Sequence, residues 1–163
     1  MTNPIMKFTQ PNIDAIRSGR KAQTRRPIKP QPTNRLPDEF LEWFAWGNSW
    51  AIVDIRDREA GVVDDDMISL NRDGVYRVAD SDGVETDLLI RITGVRAERL
   101  QDITDADALA EGVGNQRQRE STQYEGKWIG FFRELWSMIY GPTSQFAWEQ
   151  NCWVFVYEFE VVA

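Results

Sequence analysis

Residues 152–162 alternate without a break. Trp153, Phe155, Tyr157, Phe159 and Val161 fall on one side, and Cys152, Val154, Val156, Glu158 and Glu160 on the other. A period of two predicts a half-buried strand whose aromatic face closes a core. Upstream the period changes. Trp128, Phe131, Phe132, Leu135, Trp136 and Ile139 are spaced 3, 1, 3, 1, 3, one face of a helix, and Gly141-Pro142 ends it. Such an aromatic stripe reads as core rather than as a ligand platform. Residues 88–100 form the longest strand-like run, with Gly94 marking a bulge. Thr104 then caps a helix reaching Glu111, with Asp105 and Asp107 at its positive end and Gly112 as its stop.

The N-terminal half is more broken. Residues 6–8 predict a short strand. Residues 11–18 predict a helix opened by Pro11, carried by Ile13 and Ile16 and stopped by Gly19, with a further strand starting near Gln23. Pro30, Pro32 and Pro37 make residues 29–37 an extended loop. Residues 39–46 are ambiguous between a short helix and an aromatic loop, whereas 50–55 and 74–79 read as strands. Asp64-Asp65-Asp66 reads as a solvated turn, with an oxygen-only divalent cation site as the alternative. Residues 114–126 are polar, with few apolar anchors, and are expected to be mobile. The whole predicts one α+β domain over residues 1–163, with about three helices around a small mixed sheet or barrel.

Composition narrows the chemistry. The chain has 163 residues, no histidine and one cysteine. That excludes Ser-His-Asp and Cys-His nucleophile pairs, His-rich zinc sites, four-Cys clusters and any intramolecular disulfide. Cys152 reads as an inert packed or half-exposed thiol. No run of about 18 apolar residues and no apolar signal core occur, so a soluble cytoplasmic protein with no membrane partner is expected.

Charge is unevenly spread. Residues 1–37 hold eight basic residues against Asp14 alone, a formal +7 in a chain of net −7, so the remainder carries −14. A cationic segment in an acidic chain points to a localised anion or nucleotide site rather than a long nucleic-acid track, unless it is merely a solvated basic loop.

Three features bear on catalysis. Residues 20–26 place four cations, Arg20, Lys21, Arg25 and Arg26, around the hydroxyl of Thr24. Like charges and partial burial lower a lysine's pKa, and a neutral lysine serves as base toward a threonine hydroxyl. Glu111 stands at the negative end of its helix, which favours the protonated carboxyl that a general acid requires. Trp and Tyr are abundant enough to stack on a base. One geometric condition applies. In a regular strand positions 21 and 24 face opposite ways, so the strand must begin after Lys21 for the two to meet.

Residues 13–24, reading I-D-A-I-R-S-G-R-K-A-Q-T and followed by R-R-P-I-K-P-Q-P, resemble the start of ASCH-domain proteins, many of them phage-encoded. Residues 91–113 and the terminal F-R-E-L-W-S-M-I-Y-G and N-C-W-V-F-V-Y-E-F segments resemble the same family, in the same order over about half the chain. The resemblance implies a PUA-like fold, a small, mostly antiparallel β-barrel flanked by helices, and a link to RNA or modified nucleosides. One branch that this chain resembles hydrolyses the amide of N4-acetylcytidine with a lysine, a threonine and a glutamate, which match Lys21, Thr24 and Glu111. The chain departs from the family in lacking a G-D-x-L-W-V-R-E-like strand at 38–55, in Ala22, where a threonine is frequent, and in a longer 114–126 segment.

The expected function is therefore amide hydrolysis of N4-acylated cytosine nucleosides, with Thr24 as nucleophile, Lys21 as base and Glu111 as acid. Arg20, Arg25 or Arg26 would bind ribose or polarise the carbonyl. No metal or cofactor is required, and the expected partner is a small modified nucleoside. A non-catalytic RNA-binding module and a ribonuclease are the rival readings.

Overall fold

The computed structural model describes residues 2–29, 31, 70 and 72–163, together with the backbone of 41–46 and 49–54. In chain order the elements are β1 (Ile5–Lys7), α1 (Gln10–Arg17), β2 (Gln23–Pro27), β3 (Leu41–Trp46), β4 (Ser49–Asp54), β5 (Val75–Ala79), β6 (Glu85–Arg99), α2 (Asp105–Ala110), α3 (Gln116–Arg119), α4 (Trp128–Tyr140) and β7 (Trp153–Val161). Five strands form one sheet in the order β1-β5-β6-β7-β2, and β3-β4 is a separate hairpin. β1 runs parallel to β5, and every other neighbour in the sheet is antiparallel. The expected α+β class with a mixed, mostly antiparallel sheet is the class observed. Among the described residues no helix is long and apolar enough to cross a membrane.

The β6-β7 ladder is the spine, running from Ile90↔Val161 to Arg99↔Trp153 with a register shift between Ile92 and Gly94. The bulge falls where the glycine predicts it. A Cβ on Gly94 would stand 2.9 Å from Glu158 Oε2, the movable end of an exposed side chain on the partner strand.

β7 departs from the half-buried reading. Phe155, Tyr157 and Phe159 join Met6, Phe8, Ile13, Ile16, Ile90 and Ile92 in one core. Cys152, Val154 and Val156 are equally buried in a second, with Leu100, Phe132, Trp136 and Trp148. The strand thus separates two cores: Trp153 is half-buried, and exposed positions begin only at Glu158, followed by Glu160 and Val161. Alternation marks the more hydrophobic face, but the α4 layer that covers the other lies outside any local pattern. Cys152 is buried as expected, and burial pushes its thiol up to about 11.

The ends of the sheet nearly meet. Arg26 of β2 donates from Nη2 to the carbonyl of Lys7 in β1 at 2.5 Å and lies over the Phe8 ring, 4.9 Å from its centroid. A side chain, rather than a backbone ladder, spans the gap between the two edge strands.

Two local expectations are corrected. Residues 41–46, read as a helix or aromatic loop, are a strand, because β4 satisfies their backbone from Leu41↔Asp54 to Trp46↔Ser49. The Gly47-Asn48 step between them was the available hairpin signal. Residues 114–126, expected to be mobile, contain a fourth helix. In α3 the Asn115 side chain accepts from Gln118 N–H while the Gln118 side chain accepts from Asn115 N–H. Arg119 binds the carbonyls of Val113 and Leu109, and Tyr124 packs against Trp128 and Phe131. These polar residues close helix ends and bind carbonyls, which a hydropathy pattern does not register. The Asp64–Asp66 turn and most of the proline-rich loop lie outside the described residues. Gln31 is described, and its amide clamps Ile28 to Trp153.

The cap of α2 forms as expected, with reciprocal bonds between Thr104 and Asp107. Burial opposes ionisation of Asp107, but the Thr104 N–H, the Gln23 amide and the Arg25 guanidinium outweigh it and hold the carboxyl at about 2. A carboxyl lower in the folded than in the unfolded chain adds stability above its unfolded value near 3.8, and that stability disappears as pH falls through about 2. Asp107→Asn is expected to flatten the acid limb of a plot of Tm against pH. An unaltered limb would place the acid sensitivity elsewhere.

Candidate active site

The turn after α1 decides where Lys21 points. Gly19 adopts φ +79°, and the N–H groups of Arg20 and Lys21 both donate to the Ala15 carbonyl. Lys21 then pairs with Glu111 in an isolated antiparallel bridge, Ala22 N–H donates to the Ala110 carbonyl, and β2 begins only at Gln23. Lys21 therefore belongs to the crossing onto the end of α2, not to the strand. This meets the geometric condition read from the sequence, and Lys21, Thr24 and Glu111 line one cavity of about 290 Å³. Gly112, at φ +94°, passes so close that a Cβ there would stand 2.8 Å from Lys21 Cβ and 3.0 Å from Ala15 Cβ.

Lys21 and Glu111 are each only 3% exposed. Lys21 Nζ donates to Glu111 Oε2 at 2.7 Å and to the Glu111 carbonyl at 3.0 Å. Burial draws the Lys21 pKa below its ordinary value, the Glu111 carboxylate opposes this, and Arg26 and Arg25 add to the lowering. Glu111 is the C-cap residue of α2, facing the negative helix end, and Lys21 and Arg25 offset that field. Its second oxygen, Oε1, stands 3.5 Å from Arg25 Nη1 and receives no hydrogen bond from the described residues. Thr24 is 5% exposed, and its hydroxyl makes no hydrogen bond among the described residues.

The three arginines separate. Arg20 does not line this cavity. Its guanidinium binds the carbonyls of Gly114 at 2.7 Å and Gly112 at 3.4 Å, which pins the loop after Glu111. Arg25 lines the cavity with its side chain fully buried and held by Glu98 at 2.5 Å, Asp107 at 3.2 Å and the Gln23 side chain. It orders the carboxylates instead of reaching toward a ligand. Arg26 lines the cavity and forms no ion pair among the described residues.

The aromatic helix contributes on both sides. Trp128, Phe132 and Trp136 are core, as the stripe predicts, but Leu135 and the exposed Ile139 at its edge reach the cavity with Trp136 and Tyr140. Lys7, Thr9, Ser81 and Tyr140 are lining residues that sequence reasoning did not single out. Lys7 stood within the basic segment already counted. Ser81, from the turn between β5 and β6, carried no signal. Among the described residues no group of three or more Asp, Glu, Cys or His could hold a metal ion.

Fold and site define an α+β protein with a buried lysine–glutamate pair beside an unengaged threonine hydroxyl. No protein-family model and no curated protein matches the chain. Among solved structures, protein EF3133 from Enterococcus faecalis V583, of the family model DUF984, is similar with a TM-score of 0.53 at 14% identity, over 99% of this chain and 82% of that one. The ASCH domain from Lactobacillus crispatus JV V101 gives a TM-score of 0.43 at 14% identity, over 91% of this chain and 69% of that one. At such identity the likeness to the Enterococcus protein is one of fold alone.

Proposed function

We propose that the chain is an ASCH-type amidohydrolase that removes the acyl group from N4-acylated cytosine nucleosides. The observation that carries this reading is the convergence of Lys21, Thr24 and Glu111 on one cavity, with the first and last ion-paired at 2.7 Å. The Lys21–Glu111 pair holds one proton between Nζ and Oε2. When that proton rests on the carboxyl, Lys21 is a free amine, a form its burial favours.

The amine takes the Thr24 hydroxyl proton as Oγ attacks the acyl carbonyl. Glu111 donates its proton to the departing cytosine amine as the C–N bond breaks, leaving an acyl-threonine ester. Water then attacks the ester carbonyl, giving a proton to Glu111 while Lys21 returns one to Thr24 Oγ, so the acyl group leaves as its carboxylic acid and the pair regains its shared proton. Arg26, the lining arginine without a carboxylate partner among the described residues, supplies donors for the substrate's oxygens. The Trp136 and Tyr140 rings, 4.3 Å apart between centroids, offer the base an aromatic wall.

Incubation with N4-acetylcytidine is expected to release cytidine, followed by chromatography. kcat/KM should fall as rising pH strips the pair of its one proton, with a midpoint below the usual lysine value of 10.5, because Glu111 then has none to donate. Absence of cytidine together with salt-dependent RNA binding would overturn the enzyme in favour of a binding module.

A further inference from the structure

Four cations line the cavity: Lys7, Lys21, Arg25 and Arg26. Two are neutralised, Lys21 by Glu111 and Arg25 by Glu98 and Asp107. Lys7 and Arg26 form no ion pair among the described residues. Arg26 donates to the Lys7 carbonyl with its guanidinium fixed over Phe8, while the Lys7 ammonium lies along the β5–β6 turn, 3.6 Å from where a Cβ on Gly83 would stand. The nearest turn carries Asp80, but its carboxylate accepts from the N–H groups of Asp82 and Val84. Arg26 is half-buried, and a partly desolvated guanidinium with no anion is unfavourable until one arrives.

Hydroxyls surround the same place. Ser81 lines it, and Thr9 Oγ1 is buried with no hydrogen-bond partner among the described residues. Thr9 is also the N-cap of α1, whose first turn contains no acid, so the positive helix end adds to the field.

We infer that the cavity takes its substrate as a nucleoside monophosphate, with the phosphate seated between Lys7, Arg26 and Ser81. This rests on the cytosine-nucleoside reading above. Two unmatched cations suit the dianion of a phosphate monoester better than the single charge of a diester. An arginine held flat also matches phosphate geometry. The −14 carried beyond residue 37 opposes a long polymer over the rest of the surface.

The test is titration calorimetry at low salt with cytidine, cytidine 5′-monophosphate and cytidylyl-cytidine, whose one phosphate is a diester. The monophosphate is expected to bind at least about tenfold tighter than either alternative, with the advantage shrinking as salt rises. In Lys7→Gln, a change at an exposed position, the monophosphate-to-cytidine ratio should fall to within about twofold, and Arg26→Gln provides an independent second variant. Equal binding of monophosphate and cytidine, a diester as tight as the monoester, no monophosphate binding, or an advantage intact in both variants each overturns the inference. Tight monophosphate binding without any deacylation would remove the amidohydrolase and leave the phosphate site standing.

Discussion

Thr24→Ala is expected to reduce cytidine release from N4-acetylcytidine by roughly 10⁴-fold or more, the scale on which losing a covalent nucleophile acts. The fold should survive. The Thr24 hydroxyl makes no hydrogen bond among the described residues, so the substitution removes little more than one buried methyl group, about 1 kcal/mol. For a chain of this size that is a fall of about 2–4 °C in Tm. Thr24→Ser retains an oxygen at the same branch point and should keep part of the activity. A Thr24→Ala protein that releases cytidine at the original rate would eliminate the acyl-threonine ester, leaving direct attack by water as the remaining route.

The second large effect concerns stability. Glu111→Ala removes the carboxylate from Lys21, whose side chain is 1% exposed, and leaves a cation in the interior with only a backbone carbonyl as partner. Breaking one side of a buried pair costs about 3–5 kcal/mol, which lowers Tm by roughly 6–20 °C. Lys21→Met combined with Glu111→Leu removes both charges and should recover most of that loss, since a buried pair and an apolar substitute of similar volume are often near-equal in stability. A single substitution costing under about 1 kcal/mol would mean that water reaches the pair.

Lys21 also predicts a direction with pH. Its pKa is lower in the folded chain than in the unfolded one, so the unfolded chain binds the proton more tightly. Stability from this group therefore rises as pH increases toward the unfolded value of 10.5. Lys21→Met should abolish that rise in urea titrations across the alkaline range.

The two substitutions address different steps, one the covalent chemistry and the other the shell that holds it. A protein that lost activity in both but stability in only Glu111→Ala would match the division of roles proposed for the cavity. Arg25 complicates the second experiment in a predictable way. Its guanidinium lies 3.5 Å from Glu111 Oε1 and is shared with Glu98 and Asp107, so losing Glu111 still leaves Arg25 paired. The instability should therefore trace to Lys21.

Much of the framework was legible in the chain because it is local. The period-two run of β7, the i, i+3, i+4 stripe of α4, the Thr104 cap and the Gly94 bulge each arise from neighbours within a few residues. Sequence alone also bounded the chemistry, since a chain without histidine has few bases to offer. Other features depend on partners distant in sequence. The second face of β7 is buried by a helix some twenty residues upstream, and β3 is a strand because β4 completes its ladder. Lys21 meets Glu111 across ninety positions through a backbone bridge. Arg20 and Arg26 were indistinguishable as members of one basic cluster, yet one binds loop carbonyls and the other faces the cavity. Hydrophobic periodicity and capping are short-range and so can be read along the chain. Which charge finds a partner and which is left for a ligand depends on the folded sheet and its helices, because only there are desolvation and distance set.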